Sequence, residues 1–293
     1  MNPWILALRP KTLTAALVPI LVATALVHAS GIAVKWWVSV FALIASFFIQ
    51  IATNLINDAI DFDKGADTDQ RTGPKRVTQS GMISRRKVMV GAGVCLALAF
   101  AFGVPLVVEG GWPIAAIGVV SIALAYGYTG GPFPLAYMGL GDLFVILFFG
   151  VIGVMGTFFL HTGQWSELAA VAGLQVGFLA TVLIAINNLR DSPEDVKVGK
   201  KTLAVRFGAK FSKIEIAVLC YAPFLMGMAY ENRGWMWAAY APLIAVPLVS
   251  RLVRGIWAAD PGPVMNRFLA MAAALHLLFG LALAGGLWFG TKT

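Results

Sequence analysis

Charge is scarce in this chain. Of 293 residues, only 12% are Asp, Glu, Lys or Arg, about half the share of an ordinary soluble domain. Hydrophobic residues make up 59% and the mean hydropathy is +0.81. That balance leaves too little polar side chain to coat a water-soluble globule, and it excludes that class. Cysteine is nearly absent. Cys95 and Cys220 stand far apart in apolar stretches, which excludes a disulfide framework or a cysteine metal site and leaves packed thiols. The three histidines, His28, His161 and His276, lie in or at the ends of apolar runs and read as packing or interface groups. Low-complexity sequence is also missing, as is any polar stretch long enough for a separate soluble domain. Residues 1–293 therefore read as a single polytopic unit.

Apolar sequence in runs of membrane-crossing length fills the chain instead. A helix needs roughly 20 mostly apolar residues to cross the hydrocarbon. That template marks segments near 13–29, 36–56, 87–107, 112–128, 138–160, 165–187, 211–230, 235–254 and 267–289. The expectation is an all-α integral membrane protein, a bundle of nine transmembrane helices. The opening "MNPWILALRPKTL" leads into the first of them rather than into a cleavable signal. Short connections such as "VEGGW" and "HTGQW" make sequential helices antiparallel neighbours.

Lysine and arginine orient the bundle. With the N-terminus in the cytoplasm, every one of the 22 basic residues except Lys35, Arg233 and Lys292 falls on the inner side, as the positive-inside bias requires. The expected placement is the cytoplasmic membrane, N-terminus inside and C-terminus outside. The net charge of +8 then reflects topology and contact with membrane lipids, and gives no reason to expect a nucleic-acid partner.

The chain has only fourteen acidic residues, and they are concentrated. From Asn54 it reads "NLINDAIDFDKGADTDQRTGPKR", with five aspartates in twelve residues. Asn54, Asp58 and Asp61 are spaced i, i+4, i+7 and share one face of a continuing helix; Asn57 and Asp61 are one turn apart. Gly65 should end that helix, leaving Asp67 on irregular chain. A second stretch, "INNLRDSPEDVKVGKKTLAVRFG", places Asn187, Asn188, Asp191 and Asp195 at the end of another span. Pro193 is expected to disturb the helix between its two carboxylates. Both stretches, near 57–86 and 188–210, fall on the cytoplasmic side. They predict an active site at the cytoplasmic mouth of the bundle.

Two sets of carboxylates facing each other would repel. A hard divalent cation removes that cost, and Mg²⁺ in particular binds through a few carboxylates plus substrate phosphates; Mn²⁺ could substitute. The interleaved Lys64, Arg71, Lys75, Arg76, Lys200, Lys201 and Arg206 suit the remaining phosphate oxygens. A solvated loop that merely sets topology is the simpler reading of either stretch alone. The same asparagine-then-aspartate lead-in occurring twice argues against it.

"NDAIDFDKGAD" resembles the N-D-x-x-D signature of the intramembrane aromatic prenyltransferase superfamily (UbiA-type). "NNLRD" with Asp195, and "GKKTLAVRFG", look like the second signature of its 1,4-dihydroxy-2-naphthoate branch. "LRPKTLTAALVPI" and "YTGGPFPLAYMGLGD" also resemble that branch, so the similarity runs nearly the whole chain in order. Many relatives carry an aspartate eight positions after Asn57; here that position is Gly65, with Asp67 two further on, a shift the naphthoate branch shares.

The resemblance implies Mg²⁺-dependent transfer of a polyprenyl group from polyprenyl diphosphate to an aromatic acceptor. For this branch the acceptor is 1,4-dihydroxy-2-naphthoate, which loses its carboxylate to give a demethylmenaquinone. It also implies metal binding and catalysis by Asp58, Asp61, Asp67, Asp191 and Asp195. Asn54, Asn57, Lys64, Arg76, Asn187, Asn188, Lys200 and Arg206 would contact substrate, Tyr128 would line the site, and Arg9 would meet the acceptor's carboxylate. Another acceptor, such as 4-hydroxybenzoate or homogentisate, fits the same motifs. A transporter would carry ionisable residues at mid-span, where this chain has almost none. The contiguous D-G-x-x-A-R run of a CDP-alcohol phosphotransferase is absent.

Overall fold

A computed structural model describes residues 2–65, 73 and 75–290. Every regular element among them is helical. The short α1 (Pro3–Leu8) starts at Asn2, whose side chain accepts from the Trp4 N–H, and has Pro3 at its first position, where a missing N–H costs nothing. A turn at Arg9 leads into α2 (Thr14–Ala29). There follow α3 (Trp36–Asp63), α4 (Arg85–Gly127), the single turn α5 (Leu135–Met138), α6 (Gly141–Thr162), α7 (Glu167–Lys197), α8 (Leu203–Glu231), α9 (Met236–Ala258) and α10 (Met265–Phe289).

Seven of these, α3, α4 and α6 to α10, are long and apolar enough to cross a membrane, and α2 is apolar but shorter. The chain is a multi-pass membrane protein. The two segments expected near 87–107 and 112–128 are the arms of α4. They part at Gly111, whose φ of 66° and ψ of −153° interrupt the helix just before Pro113. Many large apolar side chains face outward, among them Phe100, Val108, Trp112, Leu225 and Phe289; in lipid such a surface carries no penalty.

The bundle is built around α7. Two thirds of its apolar window is buried, 67% against 17% for α4, so α7 is the central helix and α4 faces lipid. Its main core joins α2, α6, α7, α8, α9 and α10, while a separate cluster of Ala7, Leu55, Ile56, Ala59, Val77 and Ile83 packs beneath the first acidic stretch. Lipid supplies no hydrophobic drive between helices, so close backbone approach over small residues matters more. Gly150 and Gly177 provide it where α6 widens into a π-helical turn (Ile146–Ile152). A Cβ on Gly150 would lie 2.4 Å from the Gly173 oxygen, and one on Gly177 would lie 2.7 Å from the Ile146 oxygen. The neighbours here are backbone and cannot yield. Gly177→Val should therefore cost about 1–3 kcal/mol or more, read as a lower melting temperature in detergent, whereas Gly118→Val, where a Cβ meets nothing within 4 Å, should leave it unchanged.

Candidate active site

The acidic residues converge because two long helices run past the core. Helix α3 continues unbroken to Asp63, so Asn54, Asp58 and Asp61 share its inner face, all at least 95% buried. Gly65, at φ 66°, closes the helix end as its sequence position suggested. Helix α7 runs to Lys197, and here the structure corrects the expectation for Pro193. The helix passes through it. The proline lacks the N–H that Leu189 would have accepted from, and the Ser192 hydroxyl donates to that carbonyl instead, at 3.0 Å. Asp191 and Asp195 thus remain on one continuous helix.

Asp58 accepts from the backbone N–H groups of Val77 (3.2 Å) and Thr78 (2.9 Å), pinning the returning loop. Asp61 accepts from Arg76 (3.3 Å) and the Tyr137 hydroxyl (2.9 Å). Asn54 donates to the Leu8 carbonyl (3.1 Å) and Thr12 (3.0 Å), which draws the N-terminal turn onto α3. Asn57 accepts from the Thr129 hydroxyl, and Lys64 donates to the Thr129 carbonyl at 2.7 Å. At the helix end Asp63 and Arg85 form a forked surface pair.

On the second stretch, Asp191 receives two bonds of 2.7 Å from its neighbour Arg190, which also donates to Asn266 on α10 at 2.8 Å. Asp195 faces Lys200 at 3.5 Å. Asn187 and Asn188 are half-buried one turn below. Arg206 binds backbone: it donates to the carbonyls of Lys201 (2.9 Å) and Met138 (2.8 Å), clamping α5 to the loop before α8.

Tyr137 joins the two stretches. Lys64 from the first and Lys200 from the second both lie over its ring, 4.0 and 4.9 Å from the centroid. Partial burial lowers the Lys64 pKa, Asp61 opposes that, and Lys200 adds to it. Two ammonium groups held this close, beside Asp61 and Asp195, make a receptor for a multiply charged anion.

Tyr128 is half-buried, and its ring sits 5.4 Å from Phe144, which stacks on Phe148 at 4.7 Å. Burial raises the Tyr128 pKa, as do the charges of Asp142 and Asp61. Arg9 is the one non-glycine residue with positive φ (49°) among those described. Asp67 and Arg71 lie outside the described residues.

Residues 16–278 match the family model described as the UbiA prenyltransferase family. The chain belongs to that family. It is 33% identical to the 1,4-dihydroxy-2-naphthoate octaprenyltransferase of Haemophilus influenzae, covering 99% of this chain and 97% of that protein. It is also 33% identical to the enzyme of the same name from Escherichia coli, over 97% and 96%. Among solved structures, a UbiA homolog from Archaeoglobus fulgidus bound to DMAPP and Mg²⁺ has the same fold, with a TM-score of 0.63, 18% identity, and 96% of this chain and 99% of that one covered.

A UbiA-family fold implies a divalent cation, and the donor chemistry here is consistent with one. Among the described residues no group of three Asp, Glu, His or Cys side chains could hold a metal alone. A Mg²⁺ shared with substrate phosphates needs only one or two carboxylates, and Asp61 and Asp195 offer hard oxygens beside the lysine pair.

Thr129, Tyr137 and Arg190 lie in stretches that the sequence marked, but none of them was assigned a role; their partners emerge only from the fold. The geometry of Asp58 yields a prediction. Asp58→Ala strands two buried N–H groups, at about 1–3 kcal/mol each. It should lower the melting temperature and speed proteolysis within 65–84, and Asp58→Asn, which keeps one acceptor, should do less. Equal protease resistance of the alanine variant and the unmodified protein would refute the anchoring role.

Proposed function

We propose that this chain transfers a polyprenyl group from polyprenyl diphosphate to 1,4-dihydroxy-2-naphthoate, with loss of the acceptor's carboxylate, giving a demethylmenaquinone. The observation that carries the reading is the pair Lys64 and Lys200 over Tyr137 beside Asp61 and Asp195. Full-length similarity to two enzymes named for this reaction supports it.

Diphosphate leaves only when its growing charge is neutralised. Lys64 and Lys200 would hold the phosphates, with Arg76 behind them on Asp61. Asp61 and Asp195 would hold a divalent cation, with Asp58, Asp67 and Asp191 completing the acidic set. When bound, that cation supplies Lewis-acid stabilisation of the leaving oxygens. Asn187 and Asn188, on the turn below, would bond substrate. The aromatic line Tyr128, Phe144 and Phe148 offers π faces to an allylic cation and excludes water that would quench it. Arg9, held in a left-handed turn, is proposed to meet the acceptor's carboxylate; strained backbone of this kind is found at working positions.

The test uses purified protein in detergent with radiolabelled polyprenyl diphosphate and a panel of aromatic acceptors. With Mg²⁺, kcat/KM for 1,4-dihydroxy-2-naphthoate should exceed that for 4-hydroxybenzoate. Chelator should abolish turnover, and Asp61→Ala should lower it at least about 100-fold. A preference for 4-hydroxybenzoate would refute the acceptor, and full activity in EDTA would refute the metal–diphosphate arrangement.

We further propose nine crossings, counting both arms of α4 and the short α2, with the acidic mouth in the cytoplasm. The support is the distribution of basic residues. In a background lacking Cys95 and Cys220, a cysteine at Lys197 should resist a membrane-impermeant thiol reagent in intact cells, and one at Gln164 should be labelled. The reverse pattern would invert the orientation.

A further inference from the structure

Asp142 opens α6 and is 5% exposed. No donor from another described residue reaches either of its carboxylate oxygens. An unpartnered buried carboxylate costs several kcal/mol as the anion, and such groups are rare enough in folded proteins to call for a reason. A second carboxylate, Glu215 on α8, is half-buried and lies within electrostatic range of Asp142. Neither belongs to the two acidic stretches.

Tyr128 connects this pair to the mouth. A Cβ on Gly141 would come within 3.1 Å of the Tyr128 hydroxyl, so glycine at that position lets the phenol lie against the first turn of α6. The same Tyr128 feels the charges of Asp142 and Asp61. Tyr128 is thus within electrostatic range of both Asp61 and Asp142, and Asp142 within range of Glu215. The titratable groups facing Asp142 are Tyr128, from the segment after α4, and Glu215, from α8. Helix α7 brings the neutral Thr181 and Ile184 to this turn.

We propose that Asp142 is the general base that takes the proton from the acceptor's ring hydroxyl, with Tyr128 placing the ring between it and the diphosphate receptor. The inference rests on the prenyltransferase reading. The hydroxyl proton passes to a carboxylate oxygen of Asp142, and the O–H electron pair moves into the ring. The ring carbon bonds to the first prenyl carbon, whose bond to oxygen breaks with the pair leaving on diphosphate. Where that ring carbon bears a carboxylate, the bond to it breaks next, carbon dioxide leaves, and the ring recovers its aromaticity. The resulting oxyanion takes the proton back from Asp142, which ends as it began. Asp142 is buried and no cation among the described residues pairs with it, so its carboxylate is not held as an ion pair.

The experiment compares Asp142→Asn with the unmodified protein, using donor binding measured with a non-reactive thio-diphosphate analogue and turnover with 1,4-dihydroxy-2-naphthoate. The asparagine variant should bind the analogue within about twofold and lose at least about 100-fold in kcat. Turnover within threefold of the unmodified protein overturns the inference and leaves the prenyltransferase reading standing. An unmodified protein that transfers prenyl to no aromatic acceptor removes both. If Asp142→Asn does not fold, Asp142→Glu decides. A carboxylate displaced by one methylene should leave analogue binding within about twofold and lower kcat at least about tenfold, and an unchanged kcat overturns the assignment.

Discussion

The placing of Lys64 and Lys200 over one tyrosine ring is the constraint around which the mouth of this protein is arranged, because like charges so close need compensation. Tyr137 supplies part of it through its π face, and Asp61 and Asp195 supply the rest. The Tyr137 ring is fixed by its own hydroxyl on Asp61 and by its carbonyl, which accepts from the Lys201 N–H at 2.9 Å. Helix α3, the loop carrying α5 and the end of α7 are thereby joined at a single side chain. A small shift of any one would change the spacing of the two cations.

Four carboxylates of the described mouth are balanced one for one by cations. Asp58, Asp61, Asp191 and Asp195 are matched by Lys64, Arg76, Arg190 and Lys200, most of them in direct contact. Neutrality matters at a membrane surface, where an uncompensated group of four charges would be costly to bury. A diphosphate arriving with a divalent cation adds charges of both signs. Lys64 and Lys200 would then pair with phosphate oxygens and Asp61 and Asp195 would hold the cation, so that opposite-charge contacts would be exchanged rather than lost. Asp58 differs from the others. Its partners are backbone N–H groups, so its part in the exchange is to keep the loop fixed while its neighbours move.

Much of this was legible in the sequence, for identifiable reasons. Composition requires a membrane bundle, and helical spacing put Asn54, Asp58 and Asp61 on one face, where the structure has them. The expected break at Pro193 did not occur, because Ser192 takes over the hydrogen bond that proline cannot make. Arg206 read as a phosphate ligand by its charge and is found clamping two carbonyls; charge shows what a side chain can bind, and the fold decides what it meets. Tyr137 and Asp142 lie in a stretch marked by the resemblance, yet neither showed a role of its own there, because a tyrosine in a loop and a single aspartate at a helix start have no periodicity to betray them. Their importance comes from tertiary neighbours: Asp61, Lys64 and Lys200 for Tyr137, and Tyr128 and Glu215 for Asp142.

The split between a cation-rich mouth and an unpaired carboxylate at the start of α6 follows from what prenyl transfer demands of its surroundings. Breaking the carbon–oxygen bond needs concentrated positive charge beside the leaving group. Activating the ring needs a base that such charge would silence, since a carboxylate paired with a cation holds a proton poorly. The two requirements cannot be met by one cluster, and separating them along a helix bundle resolves the conflict. In this chain the Tyr128 hydroxyl feels the charges of both Asp61 and Asp142. With glycine at 141, the phenol can sit against the turn that carries the second carboxylate. A larger residue there would push the ring away and open the gap between the group that ionises the donor and the group that activates the acceptor.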